Sequence, residues 1–382
     1  MSRRSQSLPA VMVAAGCLAG IAFLASCRSD PWASVVDVIP PESLTGGALT
    51  AWVRAQGVGS RVSDVEPLAG GTQNVVVRLR VDGRPLVLRR PPPHPRPNSN
   101  RTMLREIAVL RTLAGGTAPH PEIVADCEDL DVLGVVFYLM EDVAGFNPAT
   151  EVAAAYHDPR LRHRVGLNYA AALAELSRAP WRGRPLAALQ RPGSFLARQV
   201  PNFLALLESY RNDRYRPESL AVEGLARWLE ENRPPDGEPG IMHGDAHLNN
   251  TLLRRDVPEV AAFVDWEMCT IGDPLLDLGW ILVCWPHDPD PINAGRELAA
   301  LGGLPSRTEL VAAYTDAGGR PVGHLDWYVA MACFKLAIVI EGTYSRYLVG
   351  QAHREAGERL HDSANRLIEL GGRVAAGDNP FT

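Results

Sequence analysis

Between residues 240 and 280 the chain reads GIMHGDAHLNNTLLRRDVPEVAAFVDWEMCTIGDPLLDLGW, and this stretch constrains the rest of the fold most. Four polar groups, Asp245, Asn250, Asp265 and Asp273, recur there between short apolar runs. The runs at 240–242, 251–253 and 261–264 are brief and bounded by turn residues, which predicts strands and not helix. A carboxylate beside a strand end, an amide five residues on and a second carboxylate one hairpin later can converge on one point. Phosphoryl transfer from a nucleotide uses that set. One carboxylate orients the acceptor hydroxyl and takes its proton, while an amide oxygen and another carboxylate hold Mg²⁺ on the phosphates. Any single triplet would read as ordinary turn polarity, because Asp, Asn and Gly dominate turns. The spacing of the whole set carries the signal.

His243-Gly244-Asp245 followed by Asn250 resembles the HGDxxxxN catalytic loop of the aminoglycoside phosphotransferase and choline kinase group. That loop is the small-molecule relative of the protein-kinase H-R-D-x-x-x-x-N loop. Asp265-Trp266-Glu267 stands where those enzymes carry the metal-binding Asp, and Gly272-Asp273-Pro274 with Asp277-Leu278-Gly279 matches their next signature. Within the group, DWEMCTIGDPLLDLGW is most similar to the kinase-like domain fused to some acyl-CoA dehydrogenases, which also occurs as a separate bacterial protein. The resemblance covers roughly residues 38–375. It implies an α+β, protein-kinase-like two-lobed fold: a small antiparallel sheet with one helix, then a larger, mainly helical lobe. The expected division is 1–37 leader, 38–143 N-lobe and 144–382 C-lobe, with the catalytic loop at 241–253 and the metal-binding segment at 261–280.

The same resemblance assigns roles, with ATP and Mg²⁺ as cofactors. Asp245 is the catalytic base, and Asn250 and Asp265 are the metal ligands. Oxygen ligands suit a hard cation, and no nitrogen or sulfur cluster competes. His243 is grouped with Asp245 as a catalytic-loop residue, expected to shape the loop by hydrogen bonding in preference to acting as a base. Asp273 and Asp277 are expected to brace the loop, Asp273 by accepting from its backbone or from His243. His247 is a candidate substrate contact. Glu267 reads equally as an extra metal or substrate ligand and as a supporting carboxylate.

A net charge of −6 argues against a general nucleic-acid binder. Lys335 is the only lysine, so nearly all positive charge is arginine. The six cysteines show no CxxC and no zinc spacing, which implies neither a metal cluster nor a disulfide framework. Cys127, Cys269, Cys284 and Cys333 lie in apolar surroundings and read as small core residues. The first residues follow another logic: Arg3-Arg4, an apolar run at 8–26, then Leu24-Ala25-Ser26-Cys27, a lipoprotein-like cleavage box. Three readings fit: a membrane tether through 8–26, an export signal, or a start codon placed upstream of a chain beginning near 35–38. The last is preferred, with a cytoplasmic protein as its consequence and a membrane-anchored one as the alternative.

Ahead of the catalytic stretch, 61–68, 74–81 and 85–90 alternate as strands, the last two joined at Asp82-Gly83. Gly70, Gly71, Thr72 and Asn74 lie between the first two strands, where backbone N–H groups can close over phosphates. On its own Gly-Gly between strands is more often just a tight turn, and the downstream motif is what favours phosphate contact. The third strand departs from the kinase pattern, because Leu86-Val87-Leu88-Arg89-Arg90 has no lysine in the V-A-I-K place. Arg89 is the expected substitute, paired with Glu106 on a helix at 100–113. Strands at 122–127 and 135–140 lead to Met140-Glu141-Asp142-Val143, a hinge in which Glu141 and Val143 would meet the adenine. Helices are expected at 161–177, 195–208, 220–231 and 328–348. The last carries Lys335, Glu341, Tyr344, Arg346 and Tyr347, which either line a cleft or belong to the core and its edge.

The function read from these residues is ATP-dependent phosphorylation of a small-molecule hydroxyl. A hydroxyacyl-CoA, an aminoglycoside, choline or a sugar remain open as acceptors. A nucleotide-binding pseudokinase is the alternative of a different class, motivated by the missing lysine.

Overall fold

In the computed structural model the chain reverses at Asp82-Gly83 with φ of 49° and 84°, the two positive values a type I′ hairpin turn demands. The structure describes Leu44 and residues 46–68, 74–286 and 295–378, apart from the side chain of Arg296. The leader at 1–37, including the apolar run 8–26, and the loop residues Gly70, Gly71 and Thr72 lie outside the described residues. The chain divides into two units, one holding the described residues up to Arg191 with Glu238–Gly323, the other Pro192–Gly237 and the chain from His324 onward.

The first unit begins with helix α1 (Gly47–Ala55) and a sheet of five antiparallel strands. They are β1 (Val62–Pro67), β2 (Val75–Val81), β3 (Arg84–Arg90), β4 (Ile123–Cys127) and β5 (Phe137–Glu141), in the order β1-β2-β3-β5-β4. Each expected strand is present, with ends moved by one or two residues. β3 lies at the centre and is buried from Leu86 to Arg90, so successive side chains enter different faces. Leu86 and Leu88 join Leu49, Trp52 and Val53 of α1 in one core. Arg89 points the other way, toward α2 (Ser99–Leu113). Leu88 is fully buried, and Leu88→Ala would cost about 2–5 kcal/mol through lost transfer energy and the cavity left behind.

Farther along this unit come α3 (Pro159–Arg178), two small antiparallel ladders and further helices. β6 (Gly240–Met242) pairs with β9 (Thr270–Gly272), and β7 (Thr251–Leu253) with β8 (Val260–Phe263). The third catalytic-region strand therefore sits one residue earlier than its apolar run suggests. Beyond them lie α4 (Leu275–Cys284) and α5 (Arg307–Asp316), the latter opened by a Ser306/Glu309 capping box.

The second unit is helical: α6 (Gln199–Ser209), α7 (Glu223–Glu231), α8 (Leu325–Leu348) and α9 (Arg354–Ala375). The helices expected at 195–208 and 220–231 begin later, because short 3₁₀ turns at Leu196–Arg198 and Pro217–Ser219 precede them. α8 is apolar on nearly every side because the other helices surround it. Gly371 lets α9 approach, since a Cβ there would lie 2.6 Å from Leu225 Cδ2. Glu341 on α8 is completely buried and is met by His361 Nδ1 of α9, 2.9 Å from both its oxygens. Asn365 reaches the other ring nitrogen at 3.2 Å and Tyr344 stacks on the ring. Glu341 thus belongs to the interior of this unit. No helix among the described residues is long and apolar enough to cross a membrane.

Candidate active site

The loop from His243 to Asn250 leaves β6 and enters β7, while Asp265 stands two residues past the end of β8 and Asp273 follows β9. Two short ladders therefore bring three chain exits together. The clamp is backbone-deep: the Val264 N–H donates to Asn250 O at 3.0 Å. His243 Nε2 lies 3.0 Å from Val264 O, and a carbonyl only accepts, so that nitrogen carries the proton. Burial holds the His243 pKa down to about 4, which leaves a neutral ring against Trp266 and Phe263. His243 shapes the loop, and its other ring nitrogen has no hydrogen-bond partner among the described residues.

The brace under the loop is Asp277. Its two oxygens accept the backbone N–H groups of His243 at 2.6 Å and Gly244 at 2.9 Å. Asp273, expected to brace the loop together with Asp277, accepts the N–H of Leu275, the first residue of α4, at 3.1 Å. The two acidic residues are one helical turn apart, so the sequence could not rank them. Gly244 has φ +84°, and a Cβ there would meet Met268 O at 2.5 Å. That position requires glycine.

Asp245 is 8% exposed, and Asn250 Nδ2 donates to its Oδ2 at 2.9 Å and to its backbone oxygen at 3.1 Å. The Asn250 amide nitrogen is thereby committed, and its amide oxygen is the atom left for a cation. His247 Nε2 lies 3.3 Å from Asp245 Oδ1, so this buried histidine flanks the carboxylate.

Asp265 has φ +66° and ψ +62°, a left-handed conformation that Asp tolerates better than most residues at a cost of about 1–3 kcal/mol. Its Oδ1 accepts from Arg89 Nη2 at 2.6 Å. Arg89 Nε stands 2.7 Å from Glu106 Oε2, and the Tyr138 hydroxyl donates to that same oxygen at 2.7 Å. Burial pushes the Glu106 carboxyl up, and the Arg89 guanidinium opposes it. Glu267 is 5% exposed, and burial followed by the nearby Asp265 charge raises its pKa well above the usual range. Carboxylate oxygens of Glu106, Asp265 and Glu267 lie within 4.8 Å of one another. Three hard oxygen donors facing one guanidinium leave excess negative charge, the setting a divalent cation neutralises. The residues present fit Mg²⁺.

At the nucleotide end, the Glu141 N–H is engaged by Glu122 O at 2.8 Å, so that donor is not open to a ligand. Val143 follows β5 and forms no backbone hydrogen bond among the described residues. Asn74 immediately precedes β2, and its three glycine-loop companions are outside the described residues. Two contacts escaped sequence reasoning: the Arg89–Asp265 pair and a two-pronged Arg78–Asp142 pair, 2.8 and 3.1 Å, that ties β2 to the hinge. Their partners are far apart in the chain, and no local spacing announces them.

A five-stranded sheet with its Arg–Glu pair and an HGD loop braced beneath define a kinase-like fold. The chain belongs to the phosphotransferase enzyme family APH, which matches residues 64–311. Acyl-CoA dehydrogenase family member 11 of Gallus gallus is 30% identical over 80% of this chain and 40% of its own length. The probable acyl-CoA dehydrogenase IBR3 of Arabidopsis thaliana is 30% identical over 74% of this chain and 36% of its own. This chain thus spans less than half the length of these relatives. Among solved structures, a Ralstonia eutropha protein assigned as an aminoglycoside phosphotransferase is 26% identical, with a TM-score of 0.70 over 86% of this chain and 98% of that one. A thermostable mutant of aminoglycoside phosphotransferase APH(4)-Ia, in a ternary complex with AMP-PNP and hygromycin B, shares the fold at 15% identity. Its TM-score is 0.55, over 85% of this chain and 98% of that one.

Proposed function

We propose that the chain transfers the γ-phosphate of ATP to a hydroxyl of a small molecule. The observation that carries this reading is the Asn250–Asp245 contact. It fixes the Asp245 carboxylate and commits the Asn250 amide nitrogen, which leaves the amide oxygen as the atom that could meet a metal. Asp245 orients the acceptor hydroxyl and receives its proton as the oxygen attacks phosphorus. Asn250 and Asp265 would hold Mg²⁺, with Glu267 beside them. Bound there, Mg²⁺ supplies charge neutralisation on the phosphates. Arg89 offers the positive charge that lysine gives elsewhere, Val143 and the Glu141 carbonyl face the adenine, and Gly70, Gly71, Thr72 and Asn74 cover the phosphates.

For the acceptor we favour a hydroxyacyl-CoA, because the curated relatives carry acyl-CoA dehydrogenase names on chains more than twice as long as the matched part. An aminoglycoside, choline or sugar kinase is the alternative, favoured by the Ralstonia eutropha likeness. The test offers γ-labelled ATP and Mg²⁺ with pools of hydroxyacyl-CoAs, aminoglycosides, amino alcohols and sugars, using Asp245→Asn as control. Label on hydroxyacyl-CoAs that the control loses supports the reading, and label on another pool replaces the acceptor. ATP binding without transfer to any pool favours a regulatory pseudokinase.

A further inference from the structure

Arg89 joins two carboxylates that lie on different elements. Its Nε stands 2.7 Å from Glu106 Oε2, and its Nη2 is 3.2 Å from Glu106 Oε1 and 2.6 Å from Asp265 Oδ1. One planar fork therefore spans α2 and the segment just past β8. A lysine ammonium is a point charge on a flexible stem and has no second arm to hold such a span rigidly. The protein-kinase pattern has lysine at this place on the third strand, and this chain has arginine.

We propose that Arg89 is a latch on Asp265. The guanidinium competes with a divalent cation for the Asp265 carboxylate. When Asp265 turns to the cation, Arg89 Nη2 turns to a nucleotide phosphate. Arg89 thereby adds to the positive cooperativity between cation and nucleotide, beyond what direct contact of the cation with the phosphates supplies. The inference rests on reading Asp265 as a cation ligand.

Charge balance supplies the physical reason. Glu106, Asp265 and Glu267 crowd around Arg89, which is itself buried. Separating Arg89 from Asp265 leaves a carboxylate and a guanidinium arm both short of a partner in a poorly solvated place, which is costly. A dication alone compensates only the carboxylate. A phosphate alone compensates only the guanidinium, and phosphate accepts from an arginine fork at least as well as carboxylate does. Arrival of both satisfies every group, so each ligand lowers the cost of binding the other.

The test measures Mn²⁺ binding to the full chain by electron paramagnetic resonance, and ADP binding by calorimetry with and without Mn²⁺. Arg89→Met combined with Glu106→Gln removes the latch without leaving Glu106 as an uncompensated buried charge. Arg89→Lys keeps the charge and serves if the double variant folds poorly. The expected result is that the double variant binds Mn²⁺ alone about tenfold or more tightly than the native chain, the scale of a charged hydrogen bond. Its ADP affinity should also depend less steeply on Mn²⁺ than that of the native chain, with Arg89→Lys intermediate in both respects. The proposal is overturned if neither variant binds Mn²⁺ more tightly while Asp265→Asn abolishes binding. If Asp265→Asn binds Mn²⁺ as the native chain does, the cation assignment fails, and the latch with it.

Discussion

Asp277 Oδ2 accepts the backbone N–H of His243 at 2.6 Å, while its Oδ1 takes that of Gly244 at 2.9 Å. A carboxylate in the first turn of α4 thus holds the loop that presents Asp245. Asp277→Asn turns one acceptor into an NH₂ group facing a donor. Stability should fall by about 1.5–3 kcal/mol, the range for a hydrogen bond to a charged group. Urea unfolding midpoints check this, and a variant as stable as the native chain removes Asp277 from the role of brace.

Gly244→Ala should be worse tolerated than its size suggests. At φ +84° an L side chain is strained by about 1–3 kcal/mol, and the new methyl would sit 2.5 Å from Met268 O. The backbone must move, and Asp245 is the next residue. Phosphate transfer should drop more than stability does, which paired rate and thermal-melt measurements can separate.

Asp245→Asn keeps the shape and the neighbours but cannot take a proton. Loss of one acid–base group should lower kcat about a hundredfold or more, with nucleotide affinity nearly unchanged. Transfer at the native rate would remove Asp245 from the chemistry.

His243 links stability to pH. Its folded pKa of about 4 lies below the usual 6.5 because burial penalises the charged ring. As pH falls through 6.5 the unfolded chain takes up a proton that the folded chain refuses until about 4. Stability should therefore decline across that window, by up to about 3 kcal/mol from this residue at about 1.4 kcal/mol per unit. In His243→Gln the decline should be shallower, as denaturation midpoints at a series of pH values would reveal.

In the helical unit, His361→Ala should destabilise more than Glu341→Gln. Removing the histidine strands a fully buried carboxylate, a loss of about 3–5 kcal/mol, whereas glutamine leaves no charge behind. Calorimetric unfolding of both variants tests the order, and equal effects would argue that the pair is not ionic.

How much was legible in advance follows from distance along the chain. The Asp82-Gly83 turn, the central strand with Arg89 and the set Asp245, Asn250 and Asp265 could be read because each depends on local conformation or fixed spacing. The Arg89–Glu106 pair was legible through resemblance alone, since seventeen residues separate its members. The sequence put the brace at both Asp273 and Asp277, and that Asp277 meets the loop backbone depends on how the start of α4 packs against it.

The sequence by itself determined the five strands, the main helices and which polar residues the HGD loop carries, because alternation, helical period and turn residues act over a few neighbours. Only the tertiary structure decided that Asp277 carries the loop, that Asn250 gives its nitrogen to Asp245, and that Arg89 reaches Asp265. In the last case 176 residues separate the partners. Contacts of that span depend on how ladders and helices stack, and side-chain geometry in a buried, poorly solvated site then chooses among acidic groups that look alike in the sequence.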